Sequence, residues 1–167
     1  MINEINDNEI QCKDIEYKVV AKLIEKNYRI SFAESCTAGL AAGRLVNVPD
    51  ASKVLDVSFV TYADEAKMKY LGVKEETIAA NGVVSQEVAG EMCEGAAKAM
   101  GAEVGVGISG IAGPTGGTAT KPVGMVCFGF YINGEKHTFT KQFGDIGRNN
   151  VREKSVQFVF EELLELL

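Results

Sequence analysis

The sequence predicts an α/β fold: a single three-layer domain with a mixed sheet, helices on both faces and an antiparallel hairpin. Segments with helical apolar spacing alternate with short runs rich in Val, Ile and Phe along most of the chain. Asn133-Gly134 lies between two such runs and is the strongest short-range hairpin signal available. The chain has 167 residues, 46% of them hydrophobic, enough for one core but too few for two ordinary enzyme domains.

Residues 1–13 are polar, acidic and without sustained periodicity, so they read as an N-terminal extension ahead of a domain spanning 14–167. Behind an Asp14 cap, Ile15, Val19, Val20, Leu23 and Ile24 repeat at helical spacing, and Asn27 ends the run. Arg29 to Ala33 reads as a strand and Thr37 to Val46 as a small-residue helix stopped by Pro49, with Glu34, Ser35 and Cys36 at the junction. Val54 to Tyr62 reads as a buried strand, followed by a helical turn from Asp64 to Leu71 that Gly72 closes. Ser85 caps a helix whose Val88, Met92, Ala96 and Met100 share a face and which Gly101 terminates. Val104 to Ser109 is a strand. Residues 110–122 hold four glycines and two prolines, too many for a helix or central strand. Val123 to Tyr131 and Lys136 to Phe143 form the hairpin, and a helix from about Asn149 closes the fold.

Seventeen Lys and Arg against 23 Asp and Glu give a net charge of -6, which argues against a basic track for nucleic acid. No apolar run is long enough to span a membrane and the acidic start lacks the parts of a signal peptide, so the expected location is cytoplasmic. Cys12, Cys36, Cys93 and Cys127 form no metal-ligand spacing and read as reduced packing residues; no metal or cofactor is expected. His137, the single histidine, follows the hairpin turn and reads as a solvated strand residue, a poor setting for Ser-His or Cys-His catalysis.

Ser35 follows a strand and opens a predicted helix, where the N–H groups of Cys36, Thr37 and Ala38 lack intrahelical partners. Such a serine either caps the helix or attacks a carbonyl, the N–H groups then stabilising the oxyanion by about 3 to 4 kcal/mol per well-placed donor. The G-x-S-x-G elbow is absent and no serine is followed by lysine three residues on. A base other than histidine is therefore needed. Tyr62 and Lys67 sit at the end of one strand and in the turn after it, where they either converge with Ser35 at one sheet edge or remain on the surface. Gly105 to Gly110 matches G-x-G-x-x-G and Tyr70 to Lys74 matches Y-x-x-x-K. Pro114 and more glycines stand where the fingerprint should open a helix, and the two patterns come in the wrong order for a dehydrogenase. Gly110, Gly113, Gly116 and Gly117 either let backbone N–H groups approach a phosphate, with Ser109 and Thr118 adding hydroxyls, or form a plain surface loop. Arg148 and Arg152 oppose the dipole at the start of the last helix, which an anionic ligand or an ion pair with Glu153 compensates.

Taken together, Ala33-Glu34-Ser35-Cys36-Thr37-Ala38-Gly39, Tyr62-Ala63-Asp64-Glu65-Ala66-Lys67, Gly82-Val83-Val84-Ser85, Ser109-Gly110-Ile111-Ala112-Gly113-Pro114 and Lys121-Pro122-Val123-Gly124 resemble the CinA C-terminal domain family over about residues 14–167. The resemblance implies metal-free hydrolysis of the carboxamide of nicotinamide mononucleotide (NMN) to nicotinic acid mononucleotide and ammonia, in pyridine-nucleotide salvage. By position Ser35 matches the nucleophile, and Tyr62 and Lys67 the pair that activates it. Cys36, Thr37, Ala38, Ser109, Gly110, Gly113, Gly116, Gly117, Arg148 and Arg152 are the expected substrate-binding residues. Ser109 stands where the family usually has threonine, and Asp145-Ile146-Gly147-Arg148 carries two residues more than usual between acid and arginine. The motifs of the longer members' N-terminal domain are lacking, which reads as a stand-alone form. The partners implied are a small nucleotide and a second copy in a homodimer, with neither nucleic acid nor membrane. Two rivals stay open: a non-enzymatic nucleotide-binding or regulatory module, and catalysis through Cys36.

Overall fold

In the computed structural model, which describes residues 14–167, the alternation becomes six α-helices and five strands; the extension 1–13, with Cys12, lies outside the described residues. Helix α1 (Ile15–Lys26) buries Val19, Val20 and Leu23, and Asn27 ends it in the left-handed conformation. Asp14 stands extended at its N-cap but its carboxylate makes no capping bond, a departure from the expected cap. Strand β1 (Ile30–Glu34) is buried throughout, as a central parallel strand must be. It lies between β2 (Leu55–Val60) and β3 (Val104–Gly110), parallel to both. Strand β4 (Met125–Ile132) runs antiparallel to β3, and β5 (Glu135–Gln142) closes the far edge, giving the order β2-β1-β3-β4-β5. Between β4 and β5, Asn133 and Gly134 both take positive φ, the backbone a two-residue hairpin of this hand requires.

One face of the sheet carries α1, α2 (Leu40–Leu45) and α6 (Arg148–Leu166), whose Leu23, Leu45, Val159 and Leu163 pack on Phe32, Val106, Phe128 and Phe130. Phe128, Phe130, Phe139 and Phe158 meet edge to face within that core. The other face carries α5 (Gln86–Met100), capped by Ser85, whose hydroxyl accepts from the Val88 N–H. Val88, Met92 and Ala96 of α5 pack with Ala33 of β1 and Leu71 of α3 (Asp64–Leu71). Met100, expected on the same face, is exposed in the last turn.

The glycines of β3 explain the G-x-G-x-x-G pattern as packing. A Cβ at Gly105 would stand 2.9 Å from the Ala97 Cβ and overlap the Cys93 carbonyl; one at Gly107 would stand 2.8 Å from the Cys93 nitrogen and overlap the Ala89 carbonyl. Helix α5 therefore rests directly on the strand backbone. Three elements differ from expectation. Strand β2, read as buried, is an edge strand in which no residue is fully buried. Helix α4 (Glu75–Asn81) was not foreseen; it is seven residues long and buries none of them. Helix α2 begins at Leu40 rather than Thr37, and residues 35–39 form a bend instead of a first helical turn.

Candidate active site

Because β1, β2 and β3 are parallel, their C-terminal ends share one edge, and the segments leaving them carry Ser35, Tyr62 and Gly110. The Ser35 N–H donates to the Ile108 carbonyl (3.0 Å) and the Thr61 N–H to the Glu34 carbonyl (3.0 Å), which stitches the three strand ends together. Lys67, in the first turns of α3, reaches back to this edge. Its ammonium is 1% exposed and donates to the carbonyls of Thr61 (2.9 Å) and Tyr62 (3.3 Å), with an Asp64 carboxylate oxygen at 3.7 Å. Burial lowers its pKa from the usual 10.5, and the charge of Asp64 opposes that shift only in part.

The bend after Ser35 differs from a helix opening in which atoms hold it. The Ser35 carbonyl accepts from the Ala38 N–H (3.1 Å), and Arg152 donates to the carbonyls of Cys36 (Nε, 3.0 Å) and Thr37 (Nη2, 3.3 Å). These peptides are trans, so each N–H points opposite to the carbonyl of its own plane. The Cys36 N–H therefore faces away from Ala38, and the Thr37 N–H away from Arg152. Both lack a hydrogen-bond acceptor among the described residues, but Thr37 is 0% exposed, so of the two only Cys36 keeps accessible surface. The Ala38 N–H, counted from sequence among the available donors, is taken by Ser35. Ser35 does not cap α2 either: the Glu34 carboxylate does so from the end of β1.

Cys36 is 4% exposed and its thiol is pushed up to about 12, by burial first and by the charge of Glu34 in addition. A neutral, buried thiol is a poor nucleophile. Tyr62 is 60% exposed, and its hydroxyl oxygen accepts from Arg148 Nη2 (2.9 Å) while Nη1 donates to the Gly113 carbonyl (2.9 Å). Arg148 thus joins the β2 end to the glycine-rich loop. Neither Arg148 nor Arg152 has a carboxylate partner among the described residues, and Glu153 pairs with neither. Sequence left open which arginine faces ligand: both hold only neutral groups, but Arg152 is half-buried and bonded to the bend, whereas Arg148 is exposed.

In the glycine-rich loop Gly113 and Gly116 have positive φ, while Gly110 and Gly117 lie against the side chains of Val126 and Val123. Ser109, expected to offer its hydroxyl to ligand, is 1% exposed and donates to the Val83 carbonyl (2.8 Å), because its strand position turns it toward the 82–85 segment. Lys121 ties the same segment to the end of α4, its ammonium donating to the carbonyls of Val84 (2.6 Å) and Asn81. The Thr118 hydroxyl accepts from the Lys121 N–H (3.0 Å) and shapes the loop tip. His137 lies on β5, three strands from β1, half-buried and 3.9 Å from Glu135. Among the described residues no helix is long and apolar enough to cross a membrane, and no three His, Cys, Asp or Glu side chains are grouped to hold a metal ion.

The fold that places these residues recurs among known proteins. The family model of the CinA C-terminal domain matches residues 12–167, and the chain belongs to that family. It is 46% identical over 149 residues to a CinA-like protein of Kosmotoga olearia, covering 89% of this chain and 36% of that protein. A CinA-like protein of Dictyoglomus turgidum is 49% identical over 139 residues, covering 83% of this chain and 33% of that one. The chain thus spans about a third of the length of these curated relatives. Among solved structures, the competence/damage inducible protein CihA of Agrobacterium tumefaciens superposes with a TM-score of 0.89 at 38% identity, covering 93% of this chain and 95% of that one. A CinA superfamily protein of Escherichia coli gives 0.87 at 35% identity, covering 100% and 96%.

Proposed function

We propose that this chain hydrolyses the carboxamide of NMN to nicotinic acid mononucleotide and ammonia through an acyl-enzyme on Ser35. The observation that carries the reading is Lys67: a lysine 1% exposed, with a lowered pKa, at the sheet edge where Ser35 leaves β1. In its neutral form the amine keeps two N–H donors for the Thr61 and Tyr62 carbonyls and has its lone pair free. Lys67, directly or through the Tyr62 hydroxyl, takes the Ser35 proton as Oγ bonds the amide carbon. The resulting oxyanion is met by the Cys36 N–H. As the C–N bond breaks, the same proton goes to the leaving ammonia. Water then loses a proton to the regenerated base, attacks the ester, and releases the carboxylate with Ser35 restored.

Arg148 supports a nucleotide substrate. It is exposed and carries a positive charge with no carboxylate partner among the described residues, beside a loop in which Gly113 is buried but Gly116 is exposed, and it is the best-placed cation for the phosphate. The test is ammonia release from NMN by purified, chelator-treated protein beside Ser35→Ala and Lys67→Ala. Release that vanishes in both variants supports the reading; nucleotide binding without release favours a non-enzymatic binding module instead.

A further inference from the structure

Glu34 is the one acidic side chain among the described residues that is fully buried, and it has no ion-pair partner there. Its carboxylate accepts three backbone N–H groups instead: Oε2 takes Gly39 (3.0 Å) and Ala41 (3.1 Å), and Oε1 takes Ala42 (2.9 Å). These are the groups a helix N-terminus leaves unsatisfied: Gly39 ends the bend that starts at the next residue, Ser35, and Ala41 and Ala42 lie in the first turn of α2 behind it. That bend needs holding. Ala38 (φ 50) and Gly39 (φ 94) follow each other in the left-handed region, a conformation costing about 1 to 2 kcal/mol for alanine. Glu34 holds the far end of the bend through the Gly39 N–H and anchors α2 behind it, and Arg152 grips the bend through two carbonyls.

We propose that Glu34 is a positioning residue for the oxyanion-binding bend: by holding the Gly39, Ala41 and Ala42 N–H groups it fixes residues 35–38 so that the Cys36 N–H stays aimed at substrate. The proposal rests on the reading of Ser35 as nucleophile. It also changes the source of oxyanion stabilisation. The N-terminus of α2 is occupied by a carboxylate, so the stabilising donor is the Cys36 peptide N–H of the bend and not the helix end. A carboxylate is required, because all three contacts are acceptor contacts. In Glu34→Gln the carboxamide oxygen can serve the two-donor side, but its NH2 then faces the Ala42 N–H.

The test compares wild type and Glu34→Gln at a temperature well below both unfolding transitions, with NMN as substrate and phenylboronic acid as a probe that forms a tetrahedral, negatively charged adduct with a reactive serine. The expected result is a kcat lower by about 10- to 100-fold, a KM within about threefold, and boronate affinity lower by about tenfold. A merely structural carboxylate lowers thermal stability without this split between kcat and KM. A folded Glu34→Gln with kcat and boronate affinity within about twofold of wild type overturns the proposal. If wild type releases no ammonia from NMN but its boronate affinity still falls in the variant, the substrate reading fails and the role of Glu34 stands. Should Glu34→Gln fail to fold, Glu34→Asp keeps the charge on a side chain one methylene shorter, and the same loss of kcat is expected from the lengthened contacts.

Discussion

Replacing Gly107 with alanine tests whether the glycines of β3 are there for helix packing. The added methyl would overlap the Ala89 carbonyl and stand 2.8 Å from the Cys93 nitrogen and 3.0 Å from the Met92 Cβ, all atoms of α5. Two of these are backbone, and α5 is pinned by Val88, Met92 and Ala96, each 0% exposed, so no flexible side-chain end gives way. Ordinary contact is restored only if the helix moves away by roughly 1 Å, and overpacking of this kind costs about 1 to 3 kcal/mol, here toward the upper limit. For a domain of this size about 3 kcal/mol lowers Tm by roughly 6 to 12 °C. The control is Gly43→Ala: among the described residues no atom outside its own helix backbone and chain neighbours lies within 4 Å of its added methyl, and relief of glycine in a helix is worth about 0.5 to 1 kcal/mol of stability. Denaturant and thermal unfolding followed by circular dichroism measure both. A Gly107→Ala protein within about 0.5 kcal/mol of wild type would refute the packing argument.

Four further outcomes follow from the geometry. Lys67 acts as base only when neutral, so kcat/KM rises with pH along a limb whose midpoint lies below 10.5; a midpoint at or above that value contradicts a buried, depressed lysine. Between its folded and unfolded pKa the unfolded chain binds the extra proton, so Lys67 makes folding stability increase with pH across that window, and Lys67→Met removes the slope. Arg148→Ala is expected to raise KM for NMN by about tenfold, with a much smaller effect on nicotinamide riboside, which lacks the phosphate; equal effects on both assign Arg148 to holding Tyr62 and Gly113. Lys136 (2.7 Å) and Lys98 (2.5 Å) hold the Glu94 carboxyl down to about 2 from 4.5, stabilising the fold above pH 4.5 and losing that contribution as pH falls through 2. Because the cluster is solvent-exposed, Glu94→Gln costs about 1 kcal/mol or less at neutral pH, measured by urea unfolding, and 1 M salt erases most of the difference.

What was legible in the sequence is what local rules govern. Asn133-Gly134 announced the hairpin because both residues tolerate positive φ, and Ser85 announced α5 because its hydroxyl caps the helix it precedes. Helix α4 gave no signal: seven residues with none buried have no apolar period to read. The start of α2 was misplaced for a different reason. Its N–H groups are satisfied by Glu34, five to eight residues earlier and still in a strand, so the usual cap residue at the helix start is unnecessary. Ser35, Tyr62 and Lys67 were readable as candidates because strand ends in parallel sheets collect at one edge. The separate tasks of Arg148 and Arg152 were not readable. Their partners Tyr62, Gly113, Cys36 and Thr37 lie 35 to 116 residues away, and only the fold brings them together. Ser109 was misread because its hydroxyl looked available beside a glycine-rich loop, whereas strand pairing turns it toward Val83.

The most direct test of the account is to trap the acyl-enzyme. Wild-type protein mixed with NMN and quenched in acid within the first turnovers should gain the mass of the nicotinoyl mononucleotide, on the peptide that carries Ser35, and Ser35→Ala should gain none and release no ammonia. An adduct mapped to Cys36, or ammonia released at the wild-type rate by Ser35→Ala, would contradict serine amidohydrolysis.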